Sequence, residues 1–194
     1  MNIAIYIFDN AEVLDFSGPF EVFATASRFL PEESKFKVFL LAENNSAVLA
    51  RGGYSVNPSY NFSNHPAIDV LIVVGGVHDD EMRKENVITW IKAQALSAKV
   101  IASVCTGAFL LAEANLLTGL SVTTHWQDTD DLQQQFPDLN VVTNVRWVDE
   151  GKVVTSAGIS AGIDMSLHLV EKLKNKNLAE QTAKQMQFSW TENS

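Results

Sequence analysis

Short runs of apolar residues recur along this chain, and each is continuous where a half-wet strand would alternate: "NIAIYIF" (2–8), "FKVFLLA" (36–42), "DVLIVVGG" (69–76) and "KVIASV" (99–104). A strand covered on both faces has no wet side to supply alternating polar residues, so such runs belong to a parallel sheet flanked by helices. The segments between them carry helical signals. In "LDFSGPFEVFATASRF" Ser17 suits a cap, Pro19 a first turn, and Val22, Phe23 and Ala26 share one face. Residues 86–98, the stretch after Cys105, "WQDTDDLQQQF", 160–173 and 178–188 also read as helices. "AVLARGGYSVNPS" reads as a hairpin turning at Gly52-Gly53, and residues 140–158 as short strands turning at Asp149-Glu150-Gly151. The alternation predicts an α/β domain with a mainly parallel sheet.

With no repeat, linker or shift of composition, the 194 residues are expected to form one domain, 1–194, large enough to bury a core without disulfides or metals. A net charge of −9 argues against a nucleic-acid partner and against a polybasic membrane anchor. The N-terminus lacks a basic leader and meets Asp9 early, and no apolar run is long enough to span a bilayer. With one cysteine, these features predict a cytoplasmic protein. The closing "TENS" reads as a loose tail.

That cysteine, Cys105, falls where "VIASV" meets a helical pattern, with Ser103 two residues before it and Gly107 two after. Small neighbours at those positions permit a sharp strand-to-helix turn that presents its central residue outward, the layout of a nucleophile elbow. Buried filler is the competing reading, since free cysteine is among the most buried residue types. The surrounding pattern favours the elbow, at the carboxyl ends of the strands where α/β folds bind ligands. A sulfur there is expected to feel the unpaired amides of the helix start and to titrate below the ~8.5 of free cysteine. The amides of Thr106 and Gly107 are expected to face a developing negative charge.

A nucleophile needs a proton partner. Of His65, His78, His125 and His168, His125 in "TTHW" is the best placed, with capping or core packing as its alternative. Asp15 in "VLDFSGP" stands in an apolar setting after the first strand, so burial should raise its pKa and let it hold or deliver a proton; helix capping is the alternative. Glu21 is a competing acid. Gly75-Gly76 ends a core strand and would let an amide approach a ligand. "SAGISAGID" (156–164) repeats the theme of small residues between strand and helix, suited to walling a pocket or to close packing, and "NFSNHPAI" and "VHDDEMR" are candidate rim loops. Scattered histidines and one cysteine give no metal-ligand spacing.

Taken together, "VLDFSGPFEVF", "VVGG", "SVCTGAFLLAEANLLTGLSVTTHW" and "TSAGISAGIDMSLHLVEKL" resemble the ThiJ/PfpI superfamily over nearly the whole chain. They look most like the branch holding isonitrile hydratases and the sensor domains of AraC-type regulators. The resemblance implies a flavodoxin-like three-layer sandwich, similar to class I glutamine amidotransferases, and a homodimer acting on a small molecule without a cofactor or metal. It implies Cys105 as nucleophile and Asp15 as acid, with Gly75, Gly76 and Thr106 binding substrate or a developing anion. The implied reaction adds water to an isonitrile to give an N-substituted formamide. A small-molecule or redox sensor, or a glyoxalase-like enzyme, is the alternative. Two departures stand out: Thr106 follows the cysteine where protease-like members have histidine, and Val74 precedes the double glycine where proline is common. No separate DNA-binding domain is expected.

Overall fold

The computed structural model describes residues 1–192. In chain order the elements are β1 (Asn2–Tyr6), α1 (Val13–Ser27), β2 (Lys37–Ala42), β3 (Val48–Ala50), β4 (Tyr54–Val56), β5 (Tyr60–Asn61), β6 (Val70–Val73), α2 (Asp79–Met82), α3 (Glu85–Ser97), β7 (Val100–Val104), α4 (Gly107–Glu113), β8 (Ser121–Val122), α5 (Thr129–Gln135), β9 (Asn140–Val141), β10 (Trp147–Glu150), β11 (Val153–Ser156), α6 (Ala161–Leu173) and α7 (Lys176–Gln185). A seven-stranded sheet runs β10-β11-β7-β6-β1-β2-β5. Its pairs are parallel except β10 with β11. Helices α1, α6 and α7 pack together on one side, and α2, α3 and α4 on the other. This is a flavodoxin-like α/β sandwich. The continuous apolar runs have the predicted cause: Ile3, Ile5, Leu71, Ile72 and Ile101 are all fully or almost fully buried, covered on both faces. Among the described residues no helix is long and apolar enough to cross a membrane.

The sandwich closes tightly around the turn into α4. A Cβ on Gly107 would sit 2.2 Å from the Val73 carbonyl oxygen. That neighbour is backbone in the middle of the sheet and cannot swing away. Gly107→Ala is therefore expected to lower the unfolding free energy by about 3 kcal/mol, read as a lower urea midpoint at unchanged slope.

Two expectations change. Helix α1 begins at Val13, a full turn before Ser17. Ser17 does not cap it; its hydroxyl donates back to the Val13 carbonyl at 2.8 Å, as serines inside helices do. Pro19 consequently lies inside the helix and not in its first turn, which Asp15 occupies instead. The start of "TENS" is docked: the Thr191 amide donates to Asp164 Oδ1 at 2.7 Å, and Glu192 pairs with Lys176 at 2.9 Å. The last two residues of that stretch lie outside the described residues. Asp164, in the first turn of α6, is buried and also binds the Arg146 guanidinium, while its carbonyl accepts from the Trp190 indole at 3.2 Å.

Candidate functional site

Four adjacent strands, β11, β7, β6 and β1, deliver their carboxyl ends to one place. The turn after β7 presents Cys105. Its φ of 55° lies in the left-handed region, which a residue with a side chain enters only when neighbours hold it there. They do. Its amide donates to the carbonyls of Ser156 and Ala157 at 3.2 and 3.3 Å, and its carbonyl accepts from the Thr124 hydroxyl at 2.8 Å. Just past the end of β6, Gly75 backs onto this turn so closely that a Cβ would meet the Thr106 nitrogen at 2.5 Å. The elbow thus depends on bare backbone just beyond the neighbouring strand.

Cys105 is 7% exposed, yet it lines a cavity of about 540 Å³ with Gly76, His78, Thr106, His125 and Ile159 among its walls. Behind it lies Asp15, fully buried. Asp15 Oδ2 accepts the Gly75 amide at 3.0 Å. Oδ1 has no well-formed hydrogen bond. The Cys105 thiol is near enough to act on the carboxyl as a donor, short of full hydrogen-bond geometry. Burial above all, with the charge of Glu12, raises Asp15 to about 7, against the pull of the Gly75 amide and the thiol.

The sulfur departs from expectation. Burial first, then the negative charge of Asp15, push the Cys105 thiol up to about 12, with Asp128 adding to the effect. The amides of Thr106 and Ile159 pull the other way and are outweighed. Helix α4 has only seven residues, too short a dipole to reverse the balance. The lowered thiol read from the sequence is thus corrected: between about 7 and about 12 the pair holds one proton, which belongs to the pair and not to either residue alone.

The expected anion-binding amides also shift. Gly75 N–H is taken by Asp15, and Gly76 N–H donates to the Thr106 hydroxyl at 2.9 Å. That hydroxyl donates in turn to the Gly76 carbonyl at 3.0 Å, so ring closure occupies all three groups. Gly76 and Thr106 still line the cavity, but the amides facing the sulfur are those of Thr106 and Ile159. Sequence reasoning missed Ile159. It adopts φ 48°, a strained conformation for a β-branched residue, and only the flanking small residues of "SAGISAGID" hinted at a special turn.

The remaining candidates separate. His125 lines the cavity, its Nδ1 3.1 Å from Asp128 Oδ2. His78 lines it too, packed on Phe109. His65 instead accepts the Trp90 indole hydrogen at 3.3 Å, and His168 pairs with Asp149 at 2.7 Å beside Trp147. Glu21 pairs with Arg28 on the surface. Of the two rim loops, "VHDDEMR" supplies Val77, His78 and Asp79 to the cavity, whereas Phe62 of "NFSNHPAI" stacks on Trp90 elsewhere. Among the described residues no group of three or more His, Cys, Asp or Glu side chains is placed to hold a metal.

Comparison with known proteins agrees with the fold. A family profile described as DJ-1/PfpI matches residues 1–172. An isonitrile hydratase from Pseudomonas putida is 32% identical over 191 residues, covering 97% of this chain and 79% of that protein. The transcriptional regulator GbdR from Pseudomonas aeruginosa is 29% identical over 92% of this chain, which spans only 48% of the regulator. Among solved structures, a ThiJ/PfpI family protein from Pseudomonas syringae superposes with a TM-score of 0.86 at 26% identity, covering 98% of this chain and 76% of that one.

Proposed function

The chain belongs to the DJ-1/PfpI family, and from that premise we propose that it is a cysteine-dependent hydro-lyase adding water to small isonitriles, with Cys105 as nucleophile and Asp15 as its proton partner. The observation that carries this is the free Oδ1 of a fully buried carboxyl beside a thiol that opens on a cavity. Because the sulfur holds its proton tightly, Asp15 must first act as base. Its carboxylate takes the thiol proton as sulfur bonds to the isonitrile carbon, then delivers that proton to the same carbon, leaving a thioimidate on Cys105. Water adds, the C–S bond breaks, and an N-substituted formamide leaves with the thiol restored. The similarity to an isonitrile hydratase supports the substrate class.

The reading is tested by incubating the protein with cyclohexyl isocyanide and measuring the formamide. No turnover with the thiol intact would refute it. A homodimer in the cytoplasm, binding neither nucleic acid nor membrane, completes the proposal, and light scattering on the purified chain tests the dimer. Oxidant sensing is disfavoured by one feature: peroxide reacts with thiolate, and this thiol is pushed up to about 12. At neutral pH, stoichiometric hydrogen peroxide is expected to leave Cys105 reduced by intact mass after an hour. The glyoxalase-like alternative is disfavoured by Asp15 and Thr106, where that chemistry pairs more naturally with a glutamate and an adjoining histidine.

A further inference from the structure

The proposed reaction needs a water molecule activated over the covalent adduct, and Asp15 is poorly placed to do it. Asp15 is fully buried behind the sulfur and is not among the residues that line the cavity. Water reaching the adduct carbon approaches from the cavity side. There the wall carries His125, 17% exposed at its side chain, with Nδ1 3.1 Å from the Asp128 carboxylate. The Gln127 amide also approaches Nδ1, at 3.4 Å, but the shorter contact with the Asp128 carboxylate governs that nitrogen, so the proton sits on Nδ1 and the Nε2 lone pair is left to accept one.

The ring is also seated with care. A Cβ on Gly158 would fall 2.0 Å from His125 Cδ2 and 3.1 Å from Nε2, so the Cδ2–Nε2 edge lies against bare backbone. The next residue, Ile159, is the one whose amide faces the sulfur. The same short turn therefore sets both the sulfur's donor and the imidazole. Asp128 itself is near enough to the thiol for its charge to be felt there. His78, the other cavity histidine, packs on Phe109 and has no carboxylate orienting it among the described residues.

We infer that His125, oriented by Asp128, is the general base that activates water to release product from Cys105. The inference rests on the proposed reading for its substrate but not for its test. As the water oxygen bonds to the thioimidate carbon, a water proton passes to Nε2 and the C=N electron pair moves to nitrogen. Nitrogen then takes that proton from Nε2. In the collapse, Nε2 accepts the remaining O–H proton, the carbonyl forms, the C–S bond breaks, and sulfur receives the proton back. The sum is isonitrile plus water giving formamide, with both residues restored.

The experiment acetylates Cys105 with p-nitrophenyl acetate and follows decay of the thioester by intact mass, in wild type, His125→Gln and Asp128→Asn. Removal of a general base slows hydrolysis by roughly 10²–10⁴-fold. A loss of that size is expected for His125→Gln, with a smaller loss for Asp128→Asn and a solvent deuterium isotope effect present in wild type and reduced in His125→Gln. With cyclohexyl isocyanide the His125→Gln protein should accumulate an adduct on Cys105 while wild type does not. Thioester decay within about twofold of wild type in His125→Gln, with unchanged folding by circular dichroism, overturns the inference. Should wild type show His125-dependent thioester decay yet make no formamide, the water-activating role stands and the isonitrile reading fails.

Discussion

Replacing Cys105 by alanine is expected to abolish the proposed formamide production from cyclohexyl isocyanide, with kcat/KM falling by roughly 10⁴-fold or more, as when other covalent nucleophiles are removed. The fold should survive. Alanine faces the same positive φ as cysteine, and the hydrogen bonds to Ser156, Ala157 and Thr124 all involve backbone atoms of residue 105 and persist. Loss of turnover at an unchanged circular dichroism spectrum and a melting temperature shifted by only a few degrees isolates the sulfur as the reactive atom. Activity within about tenfold of wild type in Cys105→Ala would remove the covalent mechanism outright. Cys105→Ser tests the same point more gently, since a hydroxyl keeps the shape and lacks the nucleophilicity.

Asp15→Asn separates function from stability in opposite directions. Activity should drop by roughly 10²–10⁴-fold, because the amide cannot take the thiol proton. Stability at pH 8 should rise. Asp15 titrates near 3.8 in an unfolded chain and at about 7 in the folded one. Below pH ~4 it is protonated in both states and costs nothing. As pH climbs toward 7 the unfolded chain gives up this proton while the folded one keeps it, so stability is lost across that interval. Above it the cost is complete, about 4 kcal/mol at 1.36 kcal/mol per pKa unit. The substituted carboxamide keeps an acceptor for Gly75 N–H and has no charge to bury. The variant's melting temperature should exceed that of wild type by about 10 °C at pH 8 and little at pH 4. An equal gap at both pH values would show that the buried charge is not the cause. In wild type, kcat/KM should rise with pH through about 7, as the pair loses its first proton.

The architecture was legible because it rests on side-chain patterning. Continuous apolar runs marked β1, β2, β6 and β7, and the small residues around Cys105 marked the elbow. Asp15 was legible as a buried acid because it stands among Val13, Leu14 and Phe16. What escaped was decided by backbone geometry. The occupied amides of Gly75 and Gly76 depend on where Asp15 and Thr106 happen to reach, and the sulfur-facing amide of Ile159 on a strained φ that no residue type announces. The direction of the Cys105 shift was misread for a related reason. A turn into a helix suggests a stabilised thiolate, but burial and a nearby carboxylate act at shorter range than a seven-residue dipole. The His125–Asp128 pairing was half visible, since i,i+3 spacing on a turn permits it without requiring it.

The docking of Trp190 and Thr191 onto Asp164 has a practical side. Asp164 sits one turn beyond Ile159, so the far end of the described chain helps set the loop that gives the sulfur a hydrogen bond. Displacing Trp190 or Thr191 is expected to loosen that anchorage, whereas the opposite end of the chain is held through Met1, whose amino group donates to the Lys35 carbonyl and whose carbonyl accepts from the Lys37 amide. A change made at residues 190–191 is therefore expected to be felt at the reactive sulfur, through the Ile159 turn far upstream of them in the chain.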